Sequence, residues 1–377
     1  MDNTLIYISG FGGESQVLNL LKELEYNGYI SKIYLLVCQK NEVKWKLLCK
    51  RTQNTNIKVF RFRHYPNYSF FNIFQFRELN SLLKKIISDN TIIHLRGEVF
   101  TSHVKKVVVK NNHNNVKIIT DVRGASYEEI LLYSKIKQPL LQFKLFQLKK
   151  NLKSLNKNSD YISCVSTKLK DYVIEKSKFD KEKIYINHCI AGDDFKYSII
   201  TREKYRKILN LEEKDVLFLF ITSGSGSWQN TEEIINLIIS KGYKILNLSP
   251  NVVKHENVIN LFVPYSEVSN YLNAADIGIV WRNDDVVNNV AAPIKFSEYV
   301  CSGLPVIANN GVDLINVYIE ETGFGVTTNS INLLDINVID KLLSMDRKEI
   351  SHYGHQIFSL DVISKQYRSL YKDVIES

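Results

Sequence analysis

Short apolar, β-prone runs alternate with stretches of helical hydrophobic spacing along almost the whole chain, and few architectures accept that pattern. Residues 5–9 (LIYIS) are the first such run; after the turn at Gly10, Gly12 and Gly13, the residues Val17, Leu18, Leu20, Leu21 and Leu24 recur on one helix face. Further strands are expected at 33–37, 57–60, 92–95, 116–120 and 161–165, with helical stretches such as 76–87 between them. The scheme restarts at 216–222 (VLFLFIT) and continues through 243–248, 258–261, 277–281 and 306–309. Asn230 and Glu233 read as a capping box for a helix over 231–240, and Ser266 begins another. Strands joined by helices run parallel, because a crossover connection is needed to bring the chain back to the same end of the sheet. The expected fold class is therefore α/β with two Rossmann-like lobes, joined near 189–212.

Length supports two lobes, since 377 residues exceed one ordinary mixed core and 45% apolar content can fill two. The expected domains are 1–190, 191–355 and a terminal helix over 356–377. That helix carries Ile363, Tyr367, Leu370, Tyr371 and Val374 on one stripe, which must be buried, and a return to the first lobe would bury it. Five cysteines without paired spacing suit thiols in a reducing, cytoplasmic setting, and no CxxC or HExxH pattern suggests a metal site. The start, MDNTLIYISGFGG, lacks the basic region and the apolar length of a signal peptide, and no apolar run is long enough to span a bilayer.

Charge is divided unevenly. Residues 1–188 hold 32 Lys and Arg against 16 Asp and Glu, whereas 189–377 hold 17 against 24. A field of that sign attracts anions in general: phosphate-bearing substrates, anionic lipid or nucleic acid. Clustered aromatic and basic strands of a nucleic-acid platform are missing, so no nucleic-acid partner is expected. In 139–157, Leu141, Leu145, Leu148, Leu152 and Leu155 form one apolar stripe, while Phe143 and Phe146 lie across from it among Lys150, Lys153 and Lys157. Such a face suits either plain solvation or peripheral contact with an anionic membrane.

The chemistry-bearing motifs stand where strands are expected to end. Gly12 and Gly13 follow the first strand, letting backbone approach a ligand before a helix N-terminus, although the spacing is not GxGxxG. Asp121 and Arg123 follow the fifth strand, and His94 and Arg96 occupy the same position one unit earlier, where α/β sheets place their ligands. In the second half Ser223, Gly224 and Ser225 follow a strand and suit a diphosphate. Lys295 and Glu298 share a helix face. There the ammonium can meet a phosphate while the carboxylate accepts ribose hydroxyls; the plain alternative is a surface ion pair.

With these residues in view, the chain resembles the retaining glycosyltransferases of group 1, family four, which have the GT-B fold. PIKFSEYVCSGLPVIA at 293–308 carries most of the likeness, supported by SGFGGES at 9–15, KIYINHCIAGDDF at 183–195 and PYSEVSNYLNAADIGIV at 264–280. The resemblance implies two lobes facing a central cleft, with a C-terminal helix returning to the first. It implies a nucleoside-diphosphate sugar of UDP or GDP type in the second lobe and a glycan or lipid-linked glycan acceptor in the first, as in surface polysaccharide assembly. Glu298 would then bind ribose, Lys295 the diphosphate, the backbone around Tyr265 the base, and Gly12 and Gly13 the donor phosphates or the acceptor.

Three departures from the family pattern matter. Val290 stands where the earlier of two glutamates is usual, Ser223 to Ser227 replace an Arg and Lys, and no histidine aligns with the acceptor-site histidine. Arg282 and Lys295 are then the expected source of phosphate-binding charge, and Asp121, Arg123 and Lys295 the candidate catalytic set, with no metal and no cofactor. Competing readings are a nucleotide-sugar epimerase or hydrolase of the same fold and a non-enzymatic anion-binding protein.

Overall fold

The computed structural model describes residues 3–10, 15–28, 30–65, 71–113, 115–222, 232–329 and 335–377. Gly12, Gly13, Ser223, Gly224 and Ser225, and the proposed cap Asn230, lie outside the described residues. The chain divides into two compact units, 1–187 with 363–377, and 188–362.

Among the described residues the first unit has seven strands: β1 (Thr4–Ser9), β2 (Lys32–Cys38), β3 (Lys58–Phe62), β4 (Thr91–Arg96), β5 (Lys117–Val122), β6 (Tyr161–Cys164) and β7 (Ile184–Ile186). They pair in parallel in the order β3-β2-β1-β4-β5-β6-β7. The second unit holds β8 (Leu217–Ile221), β9 (Lys244–Leu248), β10 (Val258–Leu261), β11 (Ile277–Val280), β12 (Val306–Ala308) and β13 (Gly325–Thr327). Their order, β10-β9-β8-β11-β12-β13, is the same scheme, again parallel throughout. Each sheet reverses its winding beside its first strand, between β1 and β4 and between β8 and β11, and such switch points open a crevice at the strands' carboxyl ends.

Sequence periodicity locates most strands to within two residues, the three-residue β12 included, but the equally short β7 and β13 were not expected. The expected terminal helix over 356–377 is instead divided between two, Arg347–Phe358 and Leu360–Glu376, with the break at Ser359 in extended conformation. Likewise the stripe at 139–157 divides into Leu140–Lys153 and Leu155–Asn158.

Strand alternation sorts the first sheet's side chains into two unlike layers. Ile6, Ile8, Ile93, Leu95 and Ile118 point to one face, against Leu79, Leu83, Val104 and Val108 from helices Asn72–Ile86 and Thr101–Lys110. Tyr7, His94 and Asp121 alternate with them and are also enclosed. The His94 ring stacks on Tyr7 with centroids 4.5 Å apart, and its Nδ1 shares a 2.8 Å hydrogen bond with the hydroxyl of Tyr371 on helix Leu360–Glu376. Tyr185 also bonds Asp373 on that helix. Thus the stripe of Ile363, Tyr367, Leu370, Tyr371 and Val374 is buried within the first unit.

The second sheet is apolar on both faces, as sheets covered twice by helices are. Leu217, Leu219, Leu246 and Val306 meet Phe296, Tyr299 and Val300 of helix Ile294–Cys301, while Phe218, Ile245, Ile279 and Ile307 meet Ile234, Ile238 and Leu342 on the other side.

Burial holds His94 neutral, with its pKa lowered to about 4; Asp121 opposes that shift and Arg96 and Arg123 add to it. Because the unfolded chain takes up this proton near pH 6.5 and the folded chain only near 4, stability falls as pH drops through that window. The full loss is about 3 kcal/mol. Urea titrations of wild type and His94→Gln at pH 7 and pH 4.5 should show a shallower acid loss in the variant; identical losses would remove His94 as its source.

Candidate functional site

Helix Ile294–Cys301 is fixed at both ends before any of its polar side chains is considered. Pro293 caps its start in extended conformation, and the Cys189 thiol donates to the preceding Ala292 carbonyl at 3.2 Å. At its other end Gly303 adopts φ +75°, and a Cβ there would meet the Arg347 carbonyl oxygen at 2.3 Å, so only glycine fits. The Arg347 guanidinium donates to the carbonyl of Gly303 (3.0 Å) and to that of Ala275 (2.8 Å), just past helix Tyr265–Ala274. A cation at two helix C-termini answers both sets of unpaired carbonyls at once.

On this fixed helix Glu298 has no exposed surface. Its Oε2 accepts from Lys295 Nζ at 2.8 Å and its Oε1 from the Tyr265 hydroxyl at 2.8 Å. The Lys295 ammonium also lies 5.5 Å from the centre of the Tyr265 ring. Burial raises the Glu298 pKa, and Lys295 and Tyr265 pull it back. Burial and the neighbouring Glu298 both raise that of Tyr265, which keeps the phenol as the donor. The pair is therefore an i,i+3 pair as the spacing implies, but not a surface one: a wholly buried carboxylate is covered by a lysine 32% exposed and a tyrosine 46% exposed.

Arg282 stands just past β11, beside the switch point. Asn309, just past β12, accepts from the Arg282 backbone N–H at 3.0 Å and donates back to its carbonyl. The guanidinium donates to Asn288 Oδ1 at 3.3 Å, but its Nε is enclosed without a hydrogen-bond partner. Burial lowers the Arg282 pKa to about 10, against the pull of Tyr299 and Asp285, and leaves it cationic at neutral pH. Tyr299 links the two groups: both Glu298 and Arg282 act on its hydroxyl, which bonds the backbone of Ile221 at the end of β8. Val290 is buried at the end of the short helix Val286–Asn289.

The first unit has its own polar cluster at the ends of β4 and β5. Asp121 is fully enclosed, with the Arg123 and Arg96 guanidinium groups 3.6 and 3.9 Å from Oδ2 and neither carboxylate oxygen hydrogen-bonded. Asp121 thus sits enclosed behind the two arginines. The arginines line a cavity of about 430 Å³ with Gly10, Glu98, Glu129 and Lys144. Sequence reading passed over Glu98 and Lys144. Glu98 reaches the cavity because Gly97, at φ +89°, turns the chain sharply after β4. Lys144 lies four residues before buried Leu148, so the helical stripe did carry a signal for its inward face. The Tyr265 hydroxyl bond to Glu298 had none, because the two residues are 33 apart.

Among the described residues no group of three His, Cys, Asp or Glu side chains could hold a metal ion. No helix among them is long and apolar enough to cross a membrane.

Comparison with known proteins adds the fold's relatives. No family model matches the chain, and no curated protein sequence does. Among solved structures it is similar to a glycosyltransferase from Rickettsia africae, with TM-score 0.72 and 17% identity over 100% of this chain and 99% of the other. HepE from Anabaena in complex with UDP and glucose matches at TM-score 0.70 and 12% identity, over 98% and 100%. Sucrose-phosphate synthase from Thermosynechococcus elongatus matches at 0.69 and 14%, over 99% of each. The α/β fold of two Rossmann-like units is thus the GT-B fold of these proteins.

Lys295→Met leaves the buried Glu298 carboxylate with Tyr265 alone, which should cost roughly 1–3 kcal/mol. Adding Glu298→Gln should recover most of that loss in urea unfolding. A single variant as stable as wild type would show that the pair does not support the helix.

Proposed function

We propose that this chain is a retaining glycosyltransferase, moving a sugar from a UDP- or GDP-type donor to a hydroxyl of a glycan or lipid-linked glycan in surface polysaccharide assembly. The observation that carries the reading is the Tyr265–Glu298–Lys295 arrangement in the second unit, in a fold shared with HepE in complex with UDP and glucose. The second unit takes the donor and the first takes the acceptor. Glu298 binds ribose, with the Tyr265 hydroxyl occupying the place on Oε1 that a ribose hydroxyl takes over as the half-exposed ring moves aside. Lys295, already partly exposed, turns its ammonium to the diphosphate, joined by Arg282.

The difficult step is departure of the nucleoside diphosphate. The bond from the anomeric carbon to the phosphate oxygen breaks with its electron pair on oxygen, and the acceptor oxygen bonds that carbon from the same face. The acceptor's proton passes to the departing phosphate, so no protein base is needed, and direct attack by the acceptor dispenses with a protein nucleophile. Lys295 and Arg282 interact more strongly as charge gathers on the leaving group, which lowers the barrier without a metal ion. Asp121 acts at a distance, by aiming Arg123 and Arg96.

The reaction takes place at the cytoplasmic face of a membrane. On helix Leu140–Lys153, Leu145 and Leu148 are buried, while Phe143 (43% exposed) and Phe146 (62%) stand among the exposed Lys149, Lys150 and Lys153. Aromatic rings beside lysines fit an anionic lipid surface.

Titration calorimetry with UDP and GDP should find one bound, with Glu298→Gln and Lys295→Ala each weakening it about tenfold or more through loss of a charged hydrogen bond. Undiminished affinity in both variants would move the donor site elsewhere. Changing Lys150, Lys153 and Lys157 together to Gln should reduce sedimentation with vesicles containing phosphatidylglycerol and leave nucleotide affinity unchanged; equal sedimentation would dismiss this membrane face.

A further inference from the structure

The cavity in the first unit opens where β1, β4 and β5 end: Gly10 follows β1, Arg96 closes β4 and Arg123 follows β5. It lies at the sheet's switch point, and among the described residues three cations and two carboxyls line it. The cations are held in two ways. Arg96 and Arg123 are aimed from behind by the enclosed Asp121. Lys144, half-buried on helix Leu140–Lys153, makes no hydrogen bond or ion pair among the described residues, although it lines the same wall as Glu129.

We infer that this cavity selects an acceptor carrying a negatively charged group, a carboxylate or a phosphate, which Lys144 and Arg123 receive together while Glu129 and Ser126 accept and donate to neighbouring hydroxyls. The inference rests on the reading of the first unit as the acceptor unit. Three cations against two carboxyls on one cavity wall leave positive charge that an anionic ligand would answer. The pKa of Lys144 is lowered because burial outweighs the pull of Glu129, and that of Glu129 is raised because burial outweighs the pull of Lys144. Glu98 is enclosed and bonded to Ser126; burial raises its pKa and that hydrogen bond opposes the rise. Val99, Phe100, Ile130 and Leu148 supply apolar walls that keep water from screening the contact. The basic excess of residues 1–188 raises the local concentration of such a ligand.

Saturation-transfer NMR on the full chain tests this with three probes: methyl glucuronide, glucose 6-phosphate and methyl glucoside. One charged probe should bind at least about tenfold more tightly than the neutral glucoside, the size of one charge-assisted hydrogen bond, and the tighter of the two names the group. Lys144→Gln, whose thermal unfolding is followed in parallel, should abolish that preference. Equal binding of charged and neutral probes, or a preference that survives in a folded Lys144→Gln protein, overturns the inference. Titration of the same samples with UDP and with GDP reports the second unit separately: failure to bind either counts against the donor site, lost charge preference only against this cavity.

Discussion

A carboxylate with no exposed surface has to be answered by donors, and for Glu298 they are Lys295 three residues earlier and Tyr265 from another helix. Much of the second unit's architecture serves to keep those three groups in register. Pro293 and Gly303 delimit the helix that carries two of them, and Arg347 ties its end to that of the helix beginning at Tyr265. The apolar faces of Phe296, Tyr299 and Val300 then anchor the helix to the sheet. A partly buried pair of this kind contributes little net stability, because desolvation offsets attraction. What it contributes is position: a cation and an acceptor held a fixed distance apart at the edge of a rigid sheet.

Fold class was legible because alternation of β-prone and helix-periodic segments is a property of whole runs, and errors at single residues average out. The parallel sheets follow from that alternation alone. The short strands β7 and β13 escaped, whereas β12, equally short, did not, and the break at Ser359 escaped because the hydrophobic stripe continues on both sides of it. The site was legible in part. Lys295 and Glu298 were visible through their spacing on one helix. Burial of Glu298, which turns a surface pair into a constrained one, depends on Tyr265 and the sheet beneath, and no local pattern encodes it. Asp121 was legible as a residue at a strand's carboxyl end; its enclosure behind Arg96 and Arg123 depends on neighbouring strands and had no local signal.

The two units reach a similar arrangement by different chemistry. In the second, an arginine past β11 is pinned through its backbone by Asn309, leaving part of its guanidinium without a partner. In the first, arginines past β4 and β5 are pinned through their side chains by a carboxylate in the sheet. Both solutions put cations at strand carboxyl ends, where parallel sheets leave backbone and side chains available for recognition.

The layer formed by Tyr7 and His94 is covered by Tyr367 and Tyr371, and the hydrogen bond between His94 and Tyr371 joins residues 277 apart in the chain. During synthesis the ribosome delivers the first sheet long before the segment that seals it. The early part of the polypeptide must therefore persist with an open aromatic and ionic layer while all of residues 188–362 are made, and its last native contacts form only after residues 363–377 emerge.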